Sequence, residues 1–132
     1  MNNFKVTANL VADPVLKFGN AGKAYVRLRV AESRGEGKDS NFFNVTAFET
    51  LAENIADSLR KGDRVVVDGY FDSARLYETE NGGGETRIAL DVIANEVTPS
   101  LRFSTAVLTR NDKGVNQAAS APQQYDYPEE EF

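Results

Sequence analysis

Period-two alternation of apolar and polar residues, carried through most of this 132-residue chain, limits its fold more than any other feature. It is cleanest from Lys23 to Ala31, where Ala24, Val26, Leu28 and Val30 line one face and Lys23, Tyr25, Arg27 and Arg29 the other. Such a strand buries one side and wets the other, and the wet side here is basic with one aromatic ring. Phe4 to Val11 reads as an earlier strand, ended by Asp13-Pro14, because proline brings no ladder donor. Val15 to Phe18 continues extended, and Gly19-Asn20-Ala21-Gly22 supplies a turn. A polar loop, Glu32 to Ser40, leads to another strand at Asn41–Phe48.

Helical spacing interrupts the pattern once. Leu51, Ile55, Ala56 and Leu59 predict a helix over Thr50–Lys61. Thr50 is placed to N-cap it, Glu53 to complete a capping box, Arg60 and Lys61 to face its negative end, and Gly62 to stop it. Alternation resumes at Arg64–Asp72, and Ser73–Tyr77 with Thr86–Val97 form a hairpin around Asn81-Gly82-Gly83-Gly84. Leu101–Leu108 is a candidate sixth strand. The result is an all-β chain, five strands with a helix between the third and fourth, which is the connectivity of the OB-fold Greek-key barrel. From Asn111 the apolar signal collapses, and Gln117 to Gln124 carries too little apolar surface to offset its ordering entropy. Residues 1–110 are therefore read as one domain and 111–132 as a disordered acidic tail.

On strand Asn41–Phe48 the residues Phe43, Val45 and Ala47 form the natural core face, so Phe42, Asn44, Thr46 and Phe48 point outward. Two outward rings, beside the Tyr25, Arg27 and Arg29 of the preceding strand and the outward Tyr70, suit a single-stranded nucleic acid. Bases stack on rings, cations follow phosphates, and neither interaction depends much on sequence. Phe48, next to the helix, fits a packed rim about as well as a stacking platform. Phe42, flanked by polar residues, fits the platform better, while Arg27 and Arg29 taken singly read as ordinary solvated charges.

Composition removes most enzymatic chemistries. With neither His nor Cys, the chain has no imidazole base, thiol nucleophile, thiolate metal site or disulfide. Asp13, Asp68, Asp72 and Asp91 are scattered, and the Gly82–Gly84 run precedes no helix that would complete a phosphate cradle. No enzyme, metal or cofactor is expected. The formal charge of −5 belongs mostly to the tail: residues 1–110 hold 14 Lys and Arg against 15 Asp and Glu. A DNA footprint on the barrel must therefore be a local basic patch. Without a leader or an apolar run of membrane-spanning length, the expected setting is the cytoplasm, in association with the nucleoid.

Several blocks resemble the bacterial single-stranded DNA-binding protein family: Asn9-Leu10-Val11-Ala12-Asp13-Pro14, Phe48 through Leu51-Ala52-Glu53-Asn54 to Leu59-Arg60-Lys61-Gly62, Val67-Asp68-Gly69-Tyr70-Phe71 and Asn95-Glu96-Val97. Pro99-Ser100-Leu101-Arg102-Phe103-Ser104-Thr105-Ala106 looks like its actinobacterial branch, or a phage-encoded relative of it. The resemblance implies an OB-fold homotetramer wrapped by single-stranded DNA in replication, recombination and repair. It puts the family's stacking rings on Phe42 and Phe48, with Arg27, Arg29, Lys17, Tyr25, Tyr70, Arg75 and Tyr77 as further DNA-binding candidates. The hairpin's stacking ring aligns with Leu76, so Tyr77 serves only if the register shifts. Arg75 likewise lies one residue from a commonly basic position, here Ala74. The tail resembles the family's partner-recruiting tip through Glu129, Glu130, Glu131 and Phe132, although Pro128 precedes the acids rather than joining the terminal Phe. The competing reading is an OB-fold protein-interaction module, such as a primosome-type accessory protein or a degenerate paralogue. Binding to poly(dT) separates the two.

Overall fold

The elements follow one another as β1 (Phe4–Leu10), β2 (Leu16–Phe18), β3 (Ala24–Glu32), β4 (Asn41–Phe48), α1 (Glu49–Ser58), β5 (Arg64–Glu78) and β6 (Thr86–Pro99). They belong to a computed structural model that describes residues 1–79 and 84–111. The hairpin residues Asn81, Gly82 and Gly83 and the tail residues Glu129, Glu130, Glu131 and Phe132 lie outside the described residues. Neighbouring strands run β1-β5-β6-β4-β3, and β3 returns to β1 through Asn9↔Ala31 and Leu10↔Val30. Every pairing is antiparallel except that of β4 with β6. This closed Greek-key barrel is the expected OB-fold.

β3 serves two partners along one edge, β2 at its start and β1 at its end. The Asp13-Pro14 break lies between these two pairings. Asp13 also pins the bend, because its carboxylate accepts the Lys61 N–H at 2.7 Å. Inside, the alternation predicted from sequence holds. The largest side chains fully shielded from water are all valine: Val26, Val30, Val45, Val65, Val67 and Val92. Short β-branched side chains fit a narrow barrel, and each contributes about 1.5–3 kcal/mol by burial, well above an exposed ion pair. At one end Phe4 packs edge-on against Phe43 and Phe71, with ring centroids 5.0 and 4.8 Å apart. At the other end α1 inserts Ala52 and Ile55, and Leu59 follows them into the same core.

The ends of α1 differ from expectation. Thr50 is not the N-cap and no capping box forms: Phe48 holds that position without a side-chain cap, and Glu49 turns the chain at φ 52°. β4 runs straight into the helix, so the pairing of Phe48 with Tyr25 fixes the entry and overrides the local capping signal. The helix also stops at Ser58, short of Lys61. Arg60 caps it from outside, its guanidinium donating to the Ala56 and Leu59 carbonyls at 3.0 and 2.7 Å. Gly62 has the expected positive φ, 93°, but in the following turn, where its N–H donates to the Leu10 carbonyl at 2.9 Å.

Two further differences concern the second half. Arg64–Asp72 and Ser73–Tyr77 are one strand, the 15-residue β5, with register shifts against β6 at Asp68/Gly69 and Phe71/Ser73. Among the described residues Leu101–Leu108 has no ladder partner, and Leu101, Phe103, Val107 and Leu108 are 65–93% exposed. This segment passes α1, where Asn111 Nδ2 donates to Asn54 Oδ1 at 3.1 Å. Among the described residues no helix is long and apolar enough to cross a membrane.

Candidate nucleic-acid interface

The ladder registers sort the outward side chains into rows that cross the barrel wall. Lys17, Tyr25 and Phe48 form the first, across β2, β3 and β4. Arg27, Thr46, Ile93 and Tyr70 form the second, and Arg29, Asn44, Asp91 and Ser73 the third. Phe42, paired with Ala31, stands beyond the third row on β4. The sequence candidates Lys17, Tyr25, Arg27, Arg29, Phe42, Phe48 and Tyr70 therefore share one continuous surface.

Both outward rings of β4 are partly open and each has a cation near it. Phe42 is 40% and Phe48 39% exposed. The Arg29 guanidinium carbon lies 4.7 Å from the Phe42 ring centre, and Lys23 Nζ lies 5.4 Å from that of Phe48. Lys23 also reaches the Glu49 carboxylate at 4.0 Å. A shallow cavity of about 370 Å³ opens between Tyr25, Arg27, Thr46 and Phe48, with Gly19 and Lys23 at its edge. The alternation of β3 places Lys23 on this side of the sheet, but only the structure shows it against Phe48.

Whether Arg75 and Tyr77 join this surface depends on a β-bulge. Tyr70 pairs with Ile93 on the outside and Phe71 with Val92 on the inside, and then Ser73 pairs with Asp91, leaving Asp72 as the extra residue. Plain alternation from Tyr70 would put Asp72, Ala74 and Leu76 outward. The bulge reverses that, so Ser73, Arg75 and Tyr77 continue the outer face. Leu76 and Ile88, paired on the opposite side of the arm, project beyond the barrel 71% and 60% exposed.

A residue left aside by the sequence reading sits at the centre of the third row. Asp91 Oδ1 accepts Asn44 Nδ2 at 3.2 Å, and its Oδ2 accepts Ser73 Oγ at 3.2 Å and Arg75 Nε at 3.1 Å. Asn44 Oδ1 in turn accepts Arg29 Nη1 at 3.4 Å. These contacts join three strands at one carboxylate and reach a fourth, β3, through Asn44. In the sequence its partners are 16–47 residues away, so no local pattern marks it.

The model of the single-strand binding protein family matches residues 1–100. The chain belongs to that family. It is 38% identical over 123 residues to the single-stranded DNA-binding protein of Corynebacterium glutamicum, spanning 86% of this chain and 53% of that one. To the protein of the same description from Paenarthrobacter aurescens it is 37% identical, spanning 86% of this chain and 70% of the relative. The Mycobacterium leprae protein of that description is also 37% identical, over 80% and 66% of the two chains. The matches bear out the resemblance to the actinobacterial branch of the family.

Within this family member, Asp91 also carries an acid-dependent contribution to stability. Burial alone would raise its pKa, but the hydrogen bond from Asn44, the charge and hydrogen bond of Arg75 and the Ser73 hydroxyl together hold it below the ordinary value of 3.8. A carboxylate with a depressed folded-state pKa stabilises the fold above its unfolded value and ceases to do so as pH falls through the folded one. The difference in urea unfolding free energy between the native protein and Asp91→Asn is therefore expected to be flat from pH 7 to about 5 and to shrink below about pH 4. A difference that instead shrank as pH rose from 5 to 7 would contradict this assignment.

Proposed function

We propose that this chain binds single-stranded DNA without sequence preference and protects it during replication, recombination and repair. The observation that carries the reading is the pair Phe42 and Phe48: half-open rings on the wet side of a strand, each with a cation at its face. Rings this open on a wet face offer bases a stacking surface, and Arg27, Arg29, Lys17 and Arg75 share that face, where they can pair with phosphates. Tyr25, Tyr70 and, through the bulge, Tyr77 extend the stacking surface. The relatives named as single-stranded DNA-binding proteins support the same reading.

Two finer parts of the proposal rest on other residues. The unpaired, exposed apolar segment Leu101–Leu108 fits burial against other copies of the chain, giving a homotetramer. The acidic segment Glu129–Glu131 with the adjoining Phe132 fits docking of an apolar side chain flanked by carboxylates into a basic-rimmed pocket of replication and repair proteins.

Titration of fluorescent oligo(dT) at increasing salt tests the core of the proposal. Binding is expected to be micromolar or tighter at moderate salt, with log K falling linearly against log salt, and an RNA oligomer of equal length should compete less well. No binding at moderate salt would leave the protein-interaction module as the better reading. Deleting Glu129–Phe132 is expected to leave affinity unchanged or slightly raised, since an anionic competitor is removed. Light-scattering mass with and without poly(dT) reads the assembly state.

A further inference from the structure

Asp91 presents an electrostatic puzzle. A carboxylate in the middle of a basic, ring-bearing face should repel the phosphates that face is proposed to attract, and removing its charge should help. Its contacts point the other way. Of the donors on the Arg75 guanidinium, Nε goes to Asp91, and among the described residues neither Nη group makes a hydrogen bond. Anchoring a guanidinium through Nε leaves its two terminal amino groups free to donate to a phosphate, and the Arg75 side chain is 55% exposed. On the other side Asp91 can only accept, so it fixes the Asn44 amide with Nδ2 toward itself and Oδ1 away. That Oδ1 meets Arg29 Nη1, and the Arg29 guanidinium lies over Phe42.

We propose that Asp91 is a positioning residue for DNA binding: one carboxylate that orients two guanidiniums, Arg75 directly and Arg29 through Asn44, on either side of the β4–β6–β5 seam. The inference rests on the proposed DNA-binding role of that face. The side chain of Asp91 is 17% exposed while that of Arg75 is 55% exposed, so the acid is recessed beneath the cations it holds. Repulsion of a phosphate is then weaker than its sequence position implies, because the nearest charges met from outside are Arg75 and Arg29. Without this anchor both long side chains would sample many rotamers and would have to be ordered by the DNA itself.

The two effects predict opposite signs, and that makes the test decisive. Asp91→Asn removes a negative charge without changing shape, and Asp91→Glu keeps the charge but displaces the carboxylate by one methylene. Affinity for a fluorescent oligo(dT) would be measured over a salt series for both, alongside Arg75→Ala, Arg29→Ala and Asp91→Asn/Arg75→Ala, with urea unfolding to verify the fold. Positioning predicts that Asp91→Asn and Asp91→Glu each weaken binding about three- to tenfold, with a salt slope shallower by about one. It also predicts that Asp91→Asn costs less once Arg75 is already alanine. Should Asp91→Asn fail to fold, Asp91→Glu and its cycle with Arg75→Ala carry the same prediction. Equal or tighter binding by Asp91→Asn, with Asp91→Glu indistinguishable from the native protein, would overturn the proposal and leave Asp91 as background charge. If Arg29→Ala and Arg75→Ala both bind like the native protein, the DNA-facing reading of this row fails instead, and the positioning role falls with it.

Discussion

Replacing Phe42 and Phe48 together with alanine is expected to weaken oligo(dT) binding by at least about thirtyfold while leaving the fold intact. Stacking of a base on an aromatic ring is worth about 1–3 kcal/mol by alanine substitution, so two independent platforms give about 2 kcal/mol or more. The lower end of that range applies because one side of each ring is already engaged, by Arg29 at Phe42 and by Lys23 at Phe48. Neither residue belongs to the buried core, but each ring is only about 40% exposed, so the pair should cost about 1–3 kcal/mol of unfolding free energy and leave one cooperative transition. Loss of ring-mediated binding should also leave the salt slope nearly unchanged, since no phosphate partner is removed. Equilibrium titration of both single variants and the pair, at two salt concentrations, checks all three points. Affinity within twofold of the native protein would mean that these rings serve an interface between proteins.

How far the sequence carries can be judged strand by strand. β4 was legible to the residue, because Asn41–Phe48 alternates without interruption and both of its faces have a distinct chemistry. The helix was legible by its apolar spacing but not by its ends. Thr50 and Glu53 offer a local capping box, yet the chain enters α1 from a strand already locked to β3, and that tertiary pairing decides where the turn falls. The outer face of β5 was illegible beyond Tyr70. A period-two reading has no means of knowing that Asp72 is skipped, and nothing in the residue type announces it, so the face of Arg75 and Tyr77 is set only by their partners on β6. Asp91 is harder still. Its role depends on the parallel pairing of β4 with β6 and the antiparallel pairing of β6 with β5, contacts that appear only when the barrel closes. Rings on a wet strand can be found by pattern, whereas the polar groups that orient their neighbours are set by long-range register.

The other shift in the β5–β6 ladder carries the largest stability effect expected of a single methyl group. Gly69 is buried, and Asp68 pairs with Glu96 while Gly69 pairs with Ala94, so Asn95 is the extra residue and the two backbones pinch together there. A Cβ built on Gly69 would stand 2.0 Å from the Ile93 carbonyl oxygen and 2.9 Å from Ala94 Cα. Both are main-chain atoms of β6, Ile93 held by ladders to β5 and β4 and Ala94 by the ladder to β5, so no rotamer change relieves the overlap. Gly69→Ala must therefore force the strands apart between two fully buried valines, Val67 on β5 and Val92 on β6. Overpacking a core commonly costs about 1–3 kcal/mol, and an overlap with rigid backbone belongs above that range, at roughly 3–5 kcal/mol. Against the about 5–15 kcal/mol of a typical domain this should lower the urea midpoint sharply or leave the chain unfolded when expressed. Gly62→Ala supplies the contrast. Its φ of 93° strains any side chain, but a Cβ there meets nothing within 4 Å, so only about 1 kcal/mol of backbone strain is expected. If the two variants unfolded at the same urea concentration, the close approach at the bulge would not be what makes glycine necessary at position 69.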